Sequence, residues 1–157
     1  MSRKLTAADV FAVTGYSRQE LRLLLEALRY FREQKSHPRK AREFSRLDLI
    51  ALGVVQSLEA RYGMRKDAIA AIFDLLRIAL LGPRRQNSQA HLFILIAPPT
   101  VSYKEAPTKG SEGILVPLEP VFARVDQHLG SYEVPIREQR DALSPTLISG
   151  RRKSASS

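Results

Sequence analysis

The sequence of 157 residues contains no cysteine. This absence excludes disulfide bonds, thiolate nucleophiles and every zinc site that is built from cysteine ligands. A chain without cysteine is also compatible with a reducing compartment, so we expect a cytoplasmic protein.

Long hydrophobic runs are also missing. The longest apolar window, 68–81, is interrupted by Asp74 and Arg77 and is too short to cross a bilayer. The N-terminus lacks the apolar run of a secretory signal, so secretion is not expected. The apolar window instead predicts a core helix.

Acidic residues are scarce relative to basic ones, with 16 Asp and Glu against 25 Lys and Arg, and the formal net charge is +9. Residues 1–90 carry 17 basic and 9 acidic side chains, residues 91–148 carry 5 and 7, and the last nine residues add 3 basic ones. A local positive field accelerates encounters with polyanions and gives affinity for phosphates. Ribosomal and membrane-surface proteins share this composition, so charge alone predicts only a class of partner.

Catalytic motifs are not found in the sequence, which has no His-Glu metal box, phosphate-binding glycine loop or nucleophile elbow. His37, His91 and His128 are far apart and have no carboxylate at metal-binding spacing. We therefore expect a protein that is not an enzyme and that has no metal site and no cofactor.

The N-terminal segment has the pattern of two short helices joined by a tight turn. Thr6 and Asp9 match a capping box, and the helix that they begin is expected to end near Thr14. Gly15 suits the positive φ of a turn, and Ser17 can cap a second helix. That helix carries leucines at helical spacing, namely Leu21, Leu24, Leu25 and Leu28. The pattern predicts a helix-turn-helix.

Arg18, Gln19 and Arg22 lie together on the second helix, away from its leucines. Arginine can bind guanine, and glutamine adenine, through two hydrogen bonds each. An ordinary solvated helix face is the alternative interpretation. The turn before these residues and the basic segment after them favour contact with DNA bases or phosphates.

The segment from Arg29 to Arg46 contains seven basic side chains and two acidic ones. A proline in its middle predicts an exposed loop or short hairpin, which would form a wing beside the second helix. Arg39, Lys40 and Arg42 suit phosphate anchoring, although a solubilising loop has the same composition. Phe44 is expected to pack and to orient the wing.

Two longer helices are expected after the wing. Ser45 and Asp48 form a capping pattern before a helix that should end at Tyr62-Gly63. A second helical pattern covers 64–81 and is terminated by Gly82-Pro83. These helices would complete an N-terminal domain over residues 1–82.

A small unit of mixed structure is expected over 91–143, after a polar linker at 83–90. Short apolar runs at 91–96 and 113–118, with a weaker one at 101–104, predict strands. A helix should begin at Glu119 and end before Gly130, and residues 144–157 are expected to be a disordered basic tail. A unit this small favours stabilisation through a homodimer interface, and an effector or protein-partner pocket is the alternative. The predicted fold class is α+β.

The segment from Leu5 to about Ile69 resembles the winged helix-turn-helix DNA-binding domain of MerR-family regulators. The resemblance rests on Leu5 to Val10, Thr14 to Ser17, Leu21-Arg22, Arg42 to Ser45 with Asp48, and the helix that begins Leu49-Ile50. It implies that the second helix enters the major groove and that the wing grips the backbone of duplex DNA. The DNA-binding residues that it implies are Ser17, Arg18, Gln19, Arg22, Arg42, Phe44 and Ser45, and the charge of the basic segment adds Arg39 and Lys40 as candidates.

The sequence departs from the family in three places. Leu23 and Leu24 occupy the positions where the family usually has two aromatic residues, and the wing is longer than usual. The long dimerisation helix and the effector-sensing cysteines of the family have no counterpart after Leu81. Metal or redox sensing is therefore not expected.

The expected function is sequence-specific binding of double-stranded DNA by a nucleoid-associated transcriptional regulator, as a homodimer on a palindromic operator. A phage-type excision, packaging or DNA-architectural protein is the second hypothesis, because such proteins use related winged helices. A protein-interaction adaptor is the third hypothesis. Footprint length separates the first two, since an assembling protein spreads along DNA.

Overall fold

The computed structural model describes residues 3–34, 41–81, 87–106 and 112–133, with the side chains of residues 131–133 excepted. The described residues form six helices and one antiparallel sheet of three strands, and the helices lie mainly in the N-terminal half. The predicted α+β class is therefore confirmed. In chain order the elements are α1 (Ala7–Thr14), α2 (Arg18–Ala27), α3 (Arg29–Arg32), α4 (Arg46–Tyr62), α5 (Lys66–Leu80), β1 (His91–Ile96), β2 (Pro99–Lys104), β3 (Ile114–Pro117) and α6 (Glu119–Glu133).

Side-chain caps begin α2 and α4 where the sequence predicts them. At α2, the Glu20 backbone N–H donates to Ser17 Oγ at 3.1 Å, and Glu20 Oε1 accepts from the Ser17 N–H at 2.9 Å. Ser45 and Asp48 make the same reciprocal pair at α4, with distances of 2.9 and 3.0 Å. Gly15 ends α1 with a φ of 78°. Local sequence therefore determines where α2 and α4 begin and where α1 ends.

The segment after α2 differs from the predicted loop, because Arg29–Arg32 form the short helix α3. Phe31 is fully buried, and its ring centre lies 5.7 Å from that of Phe73. Tyr30 stacks against Arg77, whose guanidinium carbon lies 3.6 Å from the ring centre. Burial of Phe31 and the packing of the half-buried Tyr30 thus override the charge pattern that predicted a loop.

The predicted wing is described only in part. Residues 35–40 lie outside the described residues. On the far side of this gap, the Phe44 backbone N–H donates to the Leu5 carbonyl at 2.9 Å, which forms an isolated β-bridge. This bridge connects the C-terminal end of the basic segment to the chain just before α1.

Helix α4 is packed between the other helices of the fold, and α1, α5 and α6 all contact it. Nine of its residues are buried, as expected for a helix at the centre of a core. The buried apolar side chains of the described residues, except Phe93, belong to one cluster that includes Val121 and Val125 of α6. A methyl group on Gly53 would lie 2.8 Å from Val121 Cγ1, so α6 can approach α4 this closely only because position 53 has no side chain. The predicted linker at 83–90 stays a prediction, and residues 82–86 lie outside the described residues.

The sheet has the strand order β2-β1-β3. Strand β1 coincides with the predicted run at 91–96, and β2 begins at Pro99, before the predicted 101–104. Leu92 lies between Tyr103 on β2 and Val116 on β3, and this face of the sheet is buried. Strands β1 and β2 both contact α5, which places the sheet against the N-terminal helices.

Helix α6 is longer than predicted, because it continues through Gly130 to Glu133. A glycine inside a helix costs about 1 kcal/mol relative to alanine, which is why the sequence pattern favoured a stop there. The packing of Leu129 and its neighbours against α1 and α4 offsets this cost. The predicted tail at 144–157 lies outside the described residues. No helix in the described part of the chain is both long and apolar enough to cross a bilayer.

Candidate nucleic-acid interface

Helix α2 buries one face and exposes the other. Leu21 and Leu24 are buried in the core, whereas Arg18, Gln19 and Arg22 are exposed. The three polar residues predicted to contact DNA therefore share the outer face of the helix, as their spacing indicates.

Two of these side chains bind each other. Arg22 donates to Gln19 Oε1 from Nε at 3.3 Å and from a terminal nitrogen at 3.1 Å. Its other terminal nitrogen lies 2.9 Å from Glu26 Oε1. More than half of both Arg22 and Glu26 is exposed, and such surface pairs contribute at most about 1 kcal/mol, so these contacts can be exchanged for a ligand. The Arg18 side chain has no hydrogen bond or ion pair to another residue in the described ranges.

Of the three wing residues predicted to anchor phosphate, Arg42 is the one that the structure describes. Its guanidinium donates to the Phe31 carbonyl at 3.0 Å, and the side chain is half-buried. This contact fixes the guanidinium beside α3, with nitrogens left for other acceptors. Arg39 and Lys40, which were predicted to accompany Arg42, lie outside the described residues.

Phe44 is not available for contact with DNA. Its side chain is 6% exposed, and its ring centre lies 5.9 Å from that of Phe31. The ring of Phe44 belongs to the core, so the structure does not support its inclusion among the DNA-binding residues, which stays a prediction. The expectation that it packs is confirmed.

Ser17 and Ser45 are exposed, but both hydroxyls already have structural roles. Each accepts a hydrogen bond from the third residue of the helix that it caps. A capping serine leaves other first-turn N–H groups of its helix free to bind an anion. Contact between these positions and phosphate would therefore come from the helix terminus more than from the hydroxyl.

The predicted residues Arg18, Arg22 and Arg42 border one cleft, with a volume of about 470 Å³. A fourth arginine, Arg32, borders it too, and so does Glu26. We call this site the arginine cleft, and its remaining lining residues are Ala7, Phe11, Leu21 and Leu25. Gln19 touches Arg22 but does not line the cleft, and neither do Ser17, Phe44 and Ser45.

Arg32 was counted in the basic segment but was not predicted as a site residue. The sequence signal that could have identified it is the helical spacing of the apolar residues Leu28 and Phe31. Because both are buried on one face of the chain, Arg32 points outward. Four guanidinium groups around one cleft can bind phosphate or carboxylate oxygens, in pairs of parallel hydrogen bonds.

A polar cluster behind the turn connects α2 to α4. The Tyr16 hydroxyl donates to Glu59 Oε1, and Lys66 Nζ lies 3.3 Å from the other carboxylate oxygen. Burial and the neighbouring Glu59 raise the pKa of the Tyr16 hydroxyl well above its usual value. Tyr16 therefore stays protonated and anchors the turn to the core.

A second cluster surrounds Asp9, whose carboxylate is buried. Asp9 accepts hydrogen bonds from Arg3 at 2.7 and 3.1 Å and from the Thr6 backbone N–H at 2.7 Å, and His128 Nε2 lies 2.7 Å from Oδ1. Burial raises the pKa of Asp9. The hydrogen bonds and the charge of Arg3 together lower the pKa by a larger amount, so that its net value is about 2. The sequence pattern missed the pairing with His128, because no local signal joins residues so distant in the chain.

Among the described residues, no group of three histidine, aspartate or glutamate side chains is placed to hold a metal ion. Among the described residues, the arginine cleft and the adjoining face of α2 are therefore the best candidate for a binding site. A scan of family models, a search of characterised proteins and a search of solved structures find no match to this chain.

Proposed function

We propose that this protein binds double-stranded DNA in a sequence-specific manner and regulates transcription. The observation that carries the proposal is the arginine cleft, where Arg18 and Arg22 of the capped helix α2 border the same space as Arg32 and Arg42. In this proposal α2 lies in the major groove, and the arginines across the cleft bind the adjoining phosphates.

The chemistry of the side chains indicates which of them would contact bases and which would contact phosphates. Gln19 and Arg22 already hydrogen-bond each other on the exposed face, and both can exchange these bonds for base edges. Arg32 and Arg42 lie next to that face and carry permanent charge, which suits phosphate binding. Affinity would come mainly from phosphates, and specificity from α2.

The proposed complex is a homodimer on a palindromic operator, located with the nucleoid in the cytoplasm. This part of the proposal is supported by the resemblance of residues 5–69 to MerR-family regulators. A two-fold dimer places two copies of α2 in successive major grooves, so half-sites should be one helical turn apart.

A DNA-architectural, packaging or excision role is the second candidate. The observation that favours it is the composition of the interface, since its described members include four arginines but only one amide side chain. Such a surface gives strong binding to phosphates and limited discrimination between bases.

The test is a selection of genomic DNA fragments by the purified full-length protein at physiological ionic strength, followed by sequencing. The proposal expects an enriched palindrome with helical-turn spacing. Uniform retention of fragments would favour the architectural role, and no retention would overturn both candidates.

Matched variants locate the site within the same assay. Arg22→Gln should weaken retention, whereas Arg61→Gln should not, because Arg61 is an exposed arginine near the end of α4 and does not line the arginine cleft. Equal loss in both variants would show that only total charge matters.

A further inference from the structure

The floor of the arginine cleft is apolar, a property that phosphate binding does not require. Ala7 and Phe11 of α1 and Leu21 and Leu25 of α2 line it, and all except Leu21 are half-buried. A volume of about 470 Å³ falls within the usual range for small-molecule sites. Apolar walls with a few convergent polar groups are the usual composition of such sites.

Two of the bordering cations have no protein partner among the described residues. Arg22 is paired with Glu26, and Arg42 donates to a backbone carbonyl. The side chains of Arg18 and Arg32 make no hydrogen bond or ion pair with any other residue in the described ranges. The cleft thus combines an apolar floor with two uncommitted guanidinium groups.

None of the segments outside the structure is acidic enough to neutralise these groups. The segments outside the structure that carry charge are 35–40, 82–86, 107–111 and 134–157, and each has more basic than acidic residues. Charge complementarity therefore indicates an anion from outside the chain.

We infer that the arginine cleft binds a small amphipathic organic anion. Its carboxylate or phosphate group would be held by Arg18 and Arg32, and its aromatic or aliphatic body would cover Phe11, Leu21 and Leu25. The apolar contacts strengthen the ion pairs, because burial of the apolar body of the ligand excludes water from them.

A regulatory consequence follows, which rests on the proposed function. The same arginines cannot hold the anion and the DNA phosphates at once, so the two ligands compete. An anion present at ten times its dissociation constant should weaken apparent DNA affinity about tenfold.

The first experiment measures ligand binding without DNA, by calorimetry on the full-length protein. The probes are naphthaleneacetate and naphthyl phosphate as amphipathic anions, naphthylmethylamine as a cation of similar shape, and acetate as an anion without an apolar body. At least one amphipathic anion should bind saturably with one site per chain, whereas the amine and acetate should not.

Variants assign the binding to the cleft. Arg18→Gln and Arg32→Gln should each weaken anion binding about tenfold or more, because each removes a charged hydrogen-bond donor, and Arg61→Gln should leave it unchanged. Leu25→Gln should weaken it through the apolar floor, and circular dichroism checks that every variant is folded. Absence of binding by both anions, equal binding of the amine, or unchanged affinity in both arginine variants would overturn the inference.

The second experiment titrates the bound anion against a DNA duplex retained in the genomic selection. Competition predicts that the anion raises the apparent dissociation constant for DNA in proportion to its concentration. Anion binding with unchanged DNA affinity would overturn the competition but leave the ligand site standing. If no DNA is retained, the calorimetric experiment still tests the ligand site on its own.

Discussion

His128 on the last described helix lies 2.7 Å from the carboxylate of Asp9 on the first, although the two residues are 119 positions apart in sequence. Arg3 and the Thr6 backbone N–H bind the same carboxylate, so Asp9 both caps α1 and holds α6 in place. One buried side chain thus connects the N-terminus, the helix-turn-helix and the C-terminal helix.

The first prediction concerns acid stability. The pKa of Asp9 is about 2 in the fold, below the ordinary aspartate value of 3.8, so its ionised form is stabilised by folding. A carboxylate of this kind contributes stability that is present above its unfolded pKa and is lost as pH falls toward its folded pKa. We expect Asp9 to account for a loss of about 2 kcal/mol in the free energy of unfolding between about pH 4 and pH 2.

Urea denaturation at several pH values measures this contribution. Asp9→Asn should flatten the loss over that pH window, whereas Asp67→Asn, which alters a carboxylate that is 79% exposed, should leave the profile as it is. An Asp9→Asn profile that runs parallel to the parent profile would contradict the assignment.

The second prediction concerns the contact between α4 and α6. Gly53→Ala should lower the free energy of unfolding by about 1–2 kcal/mol, because the new methyl group meets the buried Val121 side chain at 2.8 Å. Helix propensity alone predicts the opposite sign, a gain of about 1 kcal/mol.

Equilibrium denaturation of the double variant isolates this contact. Adding Val121→Ala should restore part of the stability lost in Gly53→Ala, which would appear as a favourable coupling energy. Strict additivity of the two changes would show that α6 does not pack on α4 at this position.

The third prediction concerns salt dependence. Arg32→Gln should weaken binding to all duplexes and reduce the slope of log K against log salt by about 1, because one phosphate contact is lost. Arg42→Ala should act in the same direction, but it also removes the bond to the Phe31 carbonyl and should lower stability. Arg32→Gln is therefore the cleaner test, and an unchanged salt slope would remove Arg32 from the interface.

The fourth prediction concerns base readout. Gln19→Ala should relax the preference at one base position of each half-site, at a cost of about 1–3 kcal/mol in discrimination, with little effect on nonspecific binding. Sequencing of DNA selected by the variant measures this change. A uniform loss at every position would indicate that Gln19 acts only by orienting Arg22.

Local signals explain which parts of the fold were predictable. Capping residues such as Ser17 and Ser45, and the turn glycine Gly15, act within four residues of their own positions. The apolar run of β1 is bounded by polar residues and prolines, so its limits were also readable. These features need no knowledge of the rest of the chain.

Features that depend on distant packing were not predictable. Helix α3 exists because Phe31 meets Phe73, and α6 passes Gly130 because its apolar face finds α1 and α4. The spacing of the polar residues of α2 predicted which face of this helix is exposed. Whether this face and Arg32 border one cleft depends on how three helices pack together, which spacing does not indicate. Local charge counting could not separate Arg32 from the other basic residues around it.

The close approach of α6 to Gly53 also has a consequence for biosynthesis. A nascent chain that has exposed α1 to α5 lacks Val121, Val125 and the His128 contact, so the side of α4 that packs against α6 faces water and the Asp9 carboxylate lacks one of its partners. Helices α1 and α4 thus reach their full packing only when the last described helix has left the ribosome. Translation therefore delays completion of the core around α4 until nearly the whole described chain has been made.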